Sequence, residues 1–536
     1  MSGVTIDLAV IVVAILLLVS LANRLGVAYP IFLVLGGIAL GYIPQLPELA
    51  MPPNLVLVIF LPPLLYWESL TAPTSELFTG SGLWWLFQLA FGLVLATMFA
   101  VGSVAHALIP NMTYATALVL GAIVASTDEV AFAPIVARVP IPRHVLATIE
   151  GESLVNDATS LVLYGLAVGV VASGTFSFTQ AAGALFVSVV GALVIGIGAA
   201  LIAVVCWHLT KDDALQAVIS LGTPYLAYLS ATHVGASGVL AVVAAGLTVT
   251  RFTPRVLTPR ARERVGGFWV TIVFMLNALI FVLVGMQFHH IASVLGPIPA
   301  WRLALYAIAV CLTVILVRMA WVFAQGLLPS TNEPEHAEGK ADWSHVAILA
   351  WSGMRGGVSL AAALAIPLQT ASGPFPHRNL IIFLTFCVLI ATLIGQGGTL
   401  PWLLRRLKVQ TDGTDEREAR AALAKTARAA LTELRKVAER GDVPEPVIRM
   451  LRERFAGRWR GFSGTDPNAP AAQHSDKYRH LAADLLDVQR GALIDLQRRG
   501  EVDNPVFRRI QRLLDLEAEE LDLLESTGHP DMENDD

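Results

Sequence analysis

Up to about residue 404 the sequence alternates long apolar runs with short polar connections, and beyond 408 it changes to charged, amphipathic patterns. A helix needs about 20 apolar residues to cross the hydrocarbon core of a bilayer. On that measure the chain predicts thirteen spans, at 5–23, 29–44, 54–70, 83–108, 114–137, 149–172, 179–208, 214–231, 235–250, 266–288, 301–327, 344–368 and 379–404. The runs 29–44 and 235–250 are short. Helical periodicity then continues over 414–440, 443–456, 475–499 and 503–526, divided by a polar insert at 460–474 that contains Gly461, Gly464, Pro467 and Pro470. The ending from Met532 to Asp536 is too polar to bury and reads as disordered. The expected fold is an all-α polytopic membrane protein, with a transmembrane domain over 1–408 and a soluble helical C-terminal region over 409–536.

Composition agrees with the pattern. Charged residues make up only 15% of the 536 and hydrophobic residues 55%, against about 25% charged in soluble domains. The net charge of −5 averages two unlike regions and identifies no partner. Cys206, Cys311 and Cys387 fall inside apolar runs at no paired spacing, which predicts packing and neither a disulfide framework nor a metal site. The run from Thr5 to Asn23 has no basic leader and a poor cleavage site around Leu21-Ala22, so it reads as a first span rather than a signal peptide.

Charge also orients the spans. With an external N-terminus, the internal connections carry Arg24, Arg138, Arg143, Lys211, Arg251, Arg255, Arg260, Arg262, Arg264 and Lys340, and the external ones only Arg302 and Arg378. The excess lies on the side where Arg405, Arg406 and Lys408 open the tail, which predicts a cytoplasmic C-terminal region in the cell membrane. The cluster at 251–264 is read as an ordinary topogenic loop, with contact to anionic lipid as the alternative.

Ionisable groups inside a span cost at least ~2.5 kcal/mol on insertion scales, so each needs a reason. Ser126-Thr127-Asp128-Glu129 lies mid-span and is followed by Pro134. Asp128 there is either part of a site or the cap of a half-helix, and both readings require a broken helix. Glu150-Gly-Glu152-Ser153-Leu-Val-Asn156-Asp157 pairs Ser153 with Asp157 and Glu152 with Asn156 one helical turn apart, which offers hard oxygens suited to an alkali cation. Glu150 is read as interfacial. Arg355, in Trp351-Ser-Gly-Met-Arg355-Gly-Gly-Val-Ser359, is a buried guanidinium that needs a carboxylate, and Glu152 is the expected partner. Glu68, after Leu61-Pro62-Pro63-Leu64-Leu65-Tyr66-Trp67, is either a funnel-lining acid or a boundary charge; Arg318 carries no assignment, and His289-His290 reads as an interfacial pair.

At these residues the chain resembles the monovalent cation:proton antiporters, which include bacterial sodium/proton antiporters and animal sodium/proton exchangers. The likeness rests on the proline pair at 61–66, Thr127-Asp128, Glu152 to Asp157 and Gly353 to Ser359, in that order, and extends over roughly 5–405. It implies inverted repeats, a core domain moving against a dimerisation domain, and two crossed, partly unwound helices at 114–137 and 344–368. It further implies Asp157 as the ion- and proton-binding carboxylate, with Asn156, Asp128, Thr127 and Ser153 around it, and Glu152–Arg355 as a buried salt bridge. Two positions depart from the family pattern: Glu129 stands where many members have Pro, and Trp67 stands where some have the glutamate that here is Glu68.

The activity expected is sodium/proton antiport serving pH homeostasis, one proton per sodium because Asn156 is neutral, with potassium or lithium as alternative ions. Burial makes an empty, ionised Asp157 costly to move, so a proton and a cation compete for it. No Walker-type loop is present, and no cofactor, nucleotide or nucleic acid is expected; the expected partners are membrane lipid and a second copy of the chain, with the C-terminal tail read either as a regulatory or dimer contact or as a solvated helical appendage. The rival readings are a cation channel and an intramembrane aspartyl protease using Asp128 and Asp157, although the Tyr-Asp and Gly-Leu-Gly-Asp pair of that class is missing.

Overall fold

The computed structural model describes residues 2–25, 29–43, 53–72, 84, 86–128, 132, 141, 143–174, 178–295, 297–327, 343–370, 373–407, 414–441, 443–463, 481, 484–493, 495–496, 499, 506, 510–511 and 513–518. The chain forms two compact units, Met1–Gln410 and Thr411–Asp536.

In the first unit the apolar runs are helical, the state that closes every backbone N–H and C=O within one segment in hydrocarbon. The chain passes through α1 (Ser2–Leu25), α2 (Tyr29–Gly41), α3 (Pro53–Thr71), α4 (Gln88–Leu108) and α5 (Tyr114–Ile123). It continues through α6 (Arg143–Ser173), α7 (Phe178–Leu209), α8 (Asp213–His233), α9 (Gly238–Val256), α10 (Pro259–Val294) and α11 (Ala300–Gly326). It ends with α12 (Trp343–Trp351), α13 (Gly357–Leu364) and α14 (Arg378–Leu407). Among the described residues, seven helices are long and apolar enough to cross a membrane: α4, α9, α10, α11, α14 and the greater parts of α6 and α7. The apolar parts of α1, α2, α3 and α5 are shorter.

Two of the expected spans are interrupted. Run 114–137 is helical only to Ile123 and then irregular through Asp128; of 129–140 only Phe132 is described, so Glu129 and Pro134 lie outside the described residues. Run 344–368 breaks between Trp351 and Gly357. Helix α6 begins at Arg143, six residues before the expected 149, so Glu150 stands two turns inside the helix and half-buried rather than at an interface. The side chains of His289 and His290 also lie outside the described set.

Close backbone contacts hold the unit together. Helices α2 and α10 cross at glycines: a Cβ on Gly37 would stand 2.4 Å from the Val282 carbonyl oxygen, and one on Gly285 2.4 Å from that of Val34. A short hairpin, β1 (Gln369–Thr370) against β2 (Gly373–Pro374), joins α13 to α14 with Thr370 opposite Gly373. Arg378 then donates to the Leu364 and Ile366 carbonyls, both at 2.9 Å, and so caps the end of α13. The three cysteines are free thiols, half-buried.

In the second unit α15 (Thr414–Arg440) packs on α16 (Glu445–Ser463), with Gly441 at φ 71° turning the chain between them. Helix α16 runs on to Ser463, into the insert expected from 460. Leu486, Leu493 and Leu514 form a separate small cluster. The terminal 532–536 lies outside the described residues.

Candidate functional site: a buried charge cluster at two unwound segments

The irregular segments 124–128 and 352–356 meet in the middle of the first unit. The Asp128 N–H donates to the Met354 carbonyl at 2.9 Å, and the Ser126 and Ser359 hydroxyls are 3.0 Å apart. Each segment exposes backbone groups that a continuous helix would have consumed. Asp128 answers one of them: its Oδ2 accepts the Gly357 N–H at 3.1 Å, so it caps α13 across the crossing. The expected half-helix cap and the expected site residue are thus the same carboxylate, and the helix it caps belongs to the other segment. Gly356 makes room for it, since a Cβ there would stand 1.2 Å from Asp128 Oδ2.

Helix α6 clamps the first segment. Asn156 Oδ1 accepts the Thr127 N–H at 3.4 Å, its Nδ2 donates to Thr127 Oγ1 at 2.6 Å, and Ser153 Oγ donates to the Thr127 carbonyl at 3.0 Å. Thr127 Oγ1 donates to Glu152 Oε1 at 3.3 Å. Asn156 is therefore committed to positioning Thr127. Asp157, next along the helix, is 2% exposed and within electrostatic reach of both Glu68 and Arg355.

The expected Glu152–Arg355 bridge is corrected: Glu152 pairs with Arg318 of α11. Arg318 Nη1 is in direct contact with Glu152 Oε1, and Nη2 donates to Oε2 at 2.9 Å, a two-pronged pair with both residues 1% exposed. The remaining Arg318 donors reach the Leu349 carbonyl, from Nε at 3.2 Å and Nη2 at 2.9 Å. The physical reason lies at Gly353, where a Cβ would stand 2.2 Å from Arg318 Cδ: the break after α12 opens the lane along which Arg318 reaches α6. Arg355 has other hydrogen-bond partners. Its Nη1 donates to the Ala125 carbonyl and its N–H to Thr392 Oγ1 at 3.1 Å, on the π-helical turn Ala391–Gly397 of α14.

Helices α2, α3 and α10 supply the facing wall. Glu68 is 4% exposed and feels the charges of Asp157 and Asp128, which makes it a buried member of the cluster rather than a boundary charge. Two wall residues were missing from the sequence reading. Asn277 of α10 is 2% exposed, with Oδ1 3.6 Å from where a Cβ on Gly357 would sit and no hydrogen-bond partner for Nδ2 among the described residues. Tyr29, packed edge-on to Phe274, lies within electrostatic reach of Asp128. Asn277 carried a readable signal, an uncompensated amide in the apolar interior of a span.

Among the described residues the cluster sets four carboxylates, Glu68, Asp128, Glu152 and Asp157, against two guanidiniums, Arg318 and Arg355. Buried charge of one sign has to be neutralised by protons or by cations.

The family model described as the transmembrane part of the sodium/hydrogen exchangers matches residues 10–406. The chain belongs to the sodium/hydrogen exchanger family. Its members are transporters rather than enzymes, which removes the protease reading and makes this exchanger a multi-pass membrane protein. It is 34% identical to an uncharacterised Na+/H+ exchanger of Mycobacterium tuberculosis over 97% of both chains. It is 31% identical to a sodium, potassium, lithium and rubidium/H+ antiporter of Bacillus subtilis, over 74% of this chain and 61% of that one. The sodium proton antiporter MjNhaP1 of Methanocaldococcus jannaschii at pH 8 superimposes with a TM-score of 0.60 at 22% identity, covering 76% of this exchanger and 99% of that chain, which establishes a shared fold.

Proposed function

We propose that this exchanger moves sodium against protons by alternating access at the buried cluster, with Asp157 as the carboxylate for which the two ions compete. The observation that carries the reading is the imbalance, among the described residues, of four buried carboxylates against two buried guanidiniums. Glu152 is neutralised by Arg318, so the unmatched charge falls on Asp157, Asp128 and Glu68 with Arg355 opposing them. A proton or a desolvated alkali cation removes the deficit, and the loaded site then passes the wall of α2, α3 and α10 at lower cost than the empty one. Thr127, held by Asn156 and Ser153, offers its hydroxyl beside the carboxylates as a hard ligand. Asn156 carries no charge, which supports one proton per sodium and no net charge moved.

The same reading keeps thirteen spans in inverted repeats, with α5 and α12–α13 as the corresponding broken helices, an external N-terminus and a cytoplasmic tail with a regulatory role. It takes a homodimer as the working assembly and needs no cofactor, because ion gradients supply the free energy. The Bacillus relative's name leaves potassium and lithium as further ions to try.

The test is luminal pH in acid-loaded proteoliposomes when sodium, lithium or potassium is added outside. The expected result is sodium-driven alkalinisation whose rate ignores an imposed membrane potential. Absence of flux with every alkali cation would overturn the reading, and a potential-dependent rate would overturn the stoichiometry.

A further inference from the structure

A cavity lies where α9 turns into α10, bounded on one side by Trp67 and Leu70 of α3. Its volume is about 230 Å³, and its walls include Trp67, Trp207, Trp269, Val249, Leu257 and Gly266. That is below the ~300–1,000 Å³ of sites that enclose a whole small molecule, so it suits a segment of a larger one.

The polar groups of the wall are already engaged. Trp207 Nε1 donates to the Gln216 carbonyl at 3.0 Å and Trp269 Nε1 to Ser220 Oγ at 2.8 Å. Thr250 Oγ1 donates to the Gly246 carbonyl at 3.0 Å and Thr253 Oγ1 to that of Val249 at 2.9 Å. What the walls present is carbon: indole faces and aliphatic side chains. Such a space binds water poorly and hydrocarbon well.

The mouth has the opposite character. Arg262 lines it and is exposed; its Nη1 is held by the Pro254 and Leu257 carbonyls at 3.3 and 2.9 Å, which fixes the guanidinium at the rim. Arg251, Arg255, Arg260 and Arg264 are exposed on the same α9–α10 turn, with Glu263 among them and Asp213 4.0 Å from Arg264. Carbon inside and a surplus of arginine outside is the complement of an amphiphile with an anionic head.

We propose that this pocket holds one acyl chain of an anionic phospholipid, its phosphate on the arginines of the α9–α10 turn. The occupant is a membrane lipid rather than soluble phosphate, because the enclosed part of the site is mostly carbon and its hydroxyls and indole N–H groups are already engaged. The proposal does not depend on which cation the protein carries.

The experiment uses the full chain in vesicles of phosphatidylcholine, with and without phosphatidylglycerol. Its readouts are the thermal midpoint and the quenching of tryptophan emission by each lipid carrying a brominated acyl chain. Phosphatidylglycerol is expected to raise the midpoint, and its brominated form to quench more than brominated phosphatidylcholine does. Gly266→Leu fills the pocket where a Cβ meets no described atom within 4 Å. It should remove most of the lipid-specific rise and of the excess quenching, leaving exchange in pure phosphatidylcholine unchanged. Arg262→Gln, which keeps an amide donor for the two carbonyls, should lower the preference for phosphatidylglycerol several-fold. The proposal fails if Gly266→Leu keeps the full rise, if inorganic phosphate alone reproduces it, or if wild-type quenching is equal for the two lipids.

Discussion

Arg318→Ala is expected to be among the most damaging single changes in the membrane unit. The pair it breaks is two-pronged and lies with both partners 1% exposed, so the change strands the Glu152 carboxylate in the protein interior. Breaking a buried pair from one side costs about 3–5 kcal/mol. The loss also takes two donors from the Leu349 carbonyl at the end of α12, leaving it the Ser352 hydroxyl. The expected outcome is a clear fall in thermal midpoint and in monodisperse yield, matched by Glu152→Ala. Inverting both charges, Glu152→Arg with Arg318→Glu, should recover part of the loss, whereas Glu152→Arg with Arg355→Glu should recover none. A wild-type midpoint in Arg318→Ala, or rescue through Arg355 instead, would show the bridge to be wrongly assigned.

The second large effect is expected at Gly356. An alanine there would place its Cβ 1.2 Å from Asp128 Oδ2 and 2.1 Å from Cγ, closer than any side-chain shift at that contact absorbs without moving the carboxylate. Asp128 would leave the Gly357 N–H, α13 would lose its cap, and the two segments would part where they cross. Exchange at saturating sodium should fall by at least about tenfold, since a misplacement of about 1 Å in a reacting site already costs about 100-fold. Gly165→Ala on α6 is the control, because a Cβ there meets no described atom within 4 Å and alanine favours helix. Wild-type flux in Gly356→Ala would remove the Asp128 contact from the working site.

The helices of the membrane unit were legible because hydrocarbon leaves the backbone little choice, and hydropathy reads that constraint directly. The breaks were legible too. Ser126 to Asp128 and the glycines around Arg355 are polar or flexible where an apolar helix should continue. What hydropathy does not carry is rotation about each helix. Glu152 had two buried arginines within reach, and the choice between them depended on Gly353 opening a path for Arg318. Arg355 has its own partners in the Ala125 carbonyl and Thr392, neither of which a charge-pairing argument looks for. Asn277 was marked by its amide inside an apolar span, whereas Tyr29 had no such mark, and the meaning of both arises only where α10 and α2 meet the crossing.

The competition at Asp157 is tested most directly by counting protons released when sodium is added to purified, weakly buffered protein. Wild type should release protons in proportion to the sodium bound, and Asp157→Asn, with its fold intact by thermal midpoint, should bind little sodium and release none. Equal release from Asp157→Asn would contradict the account and move the exchanged proton to Asp128 or Glu68.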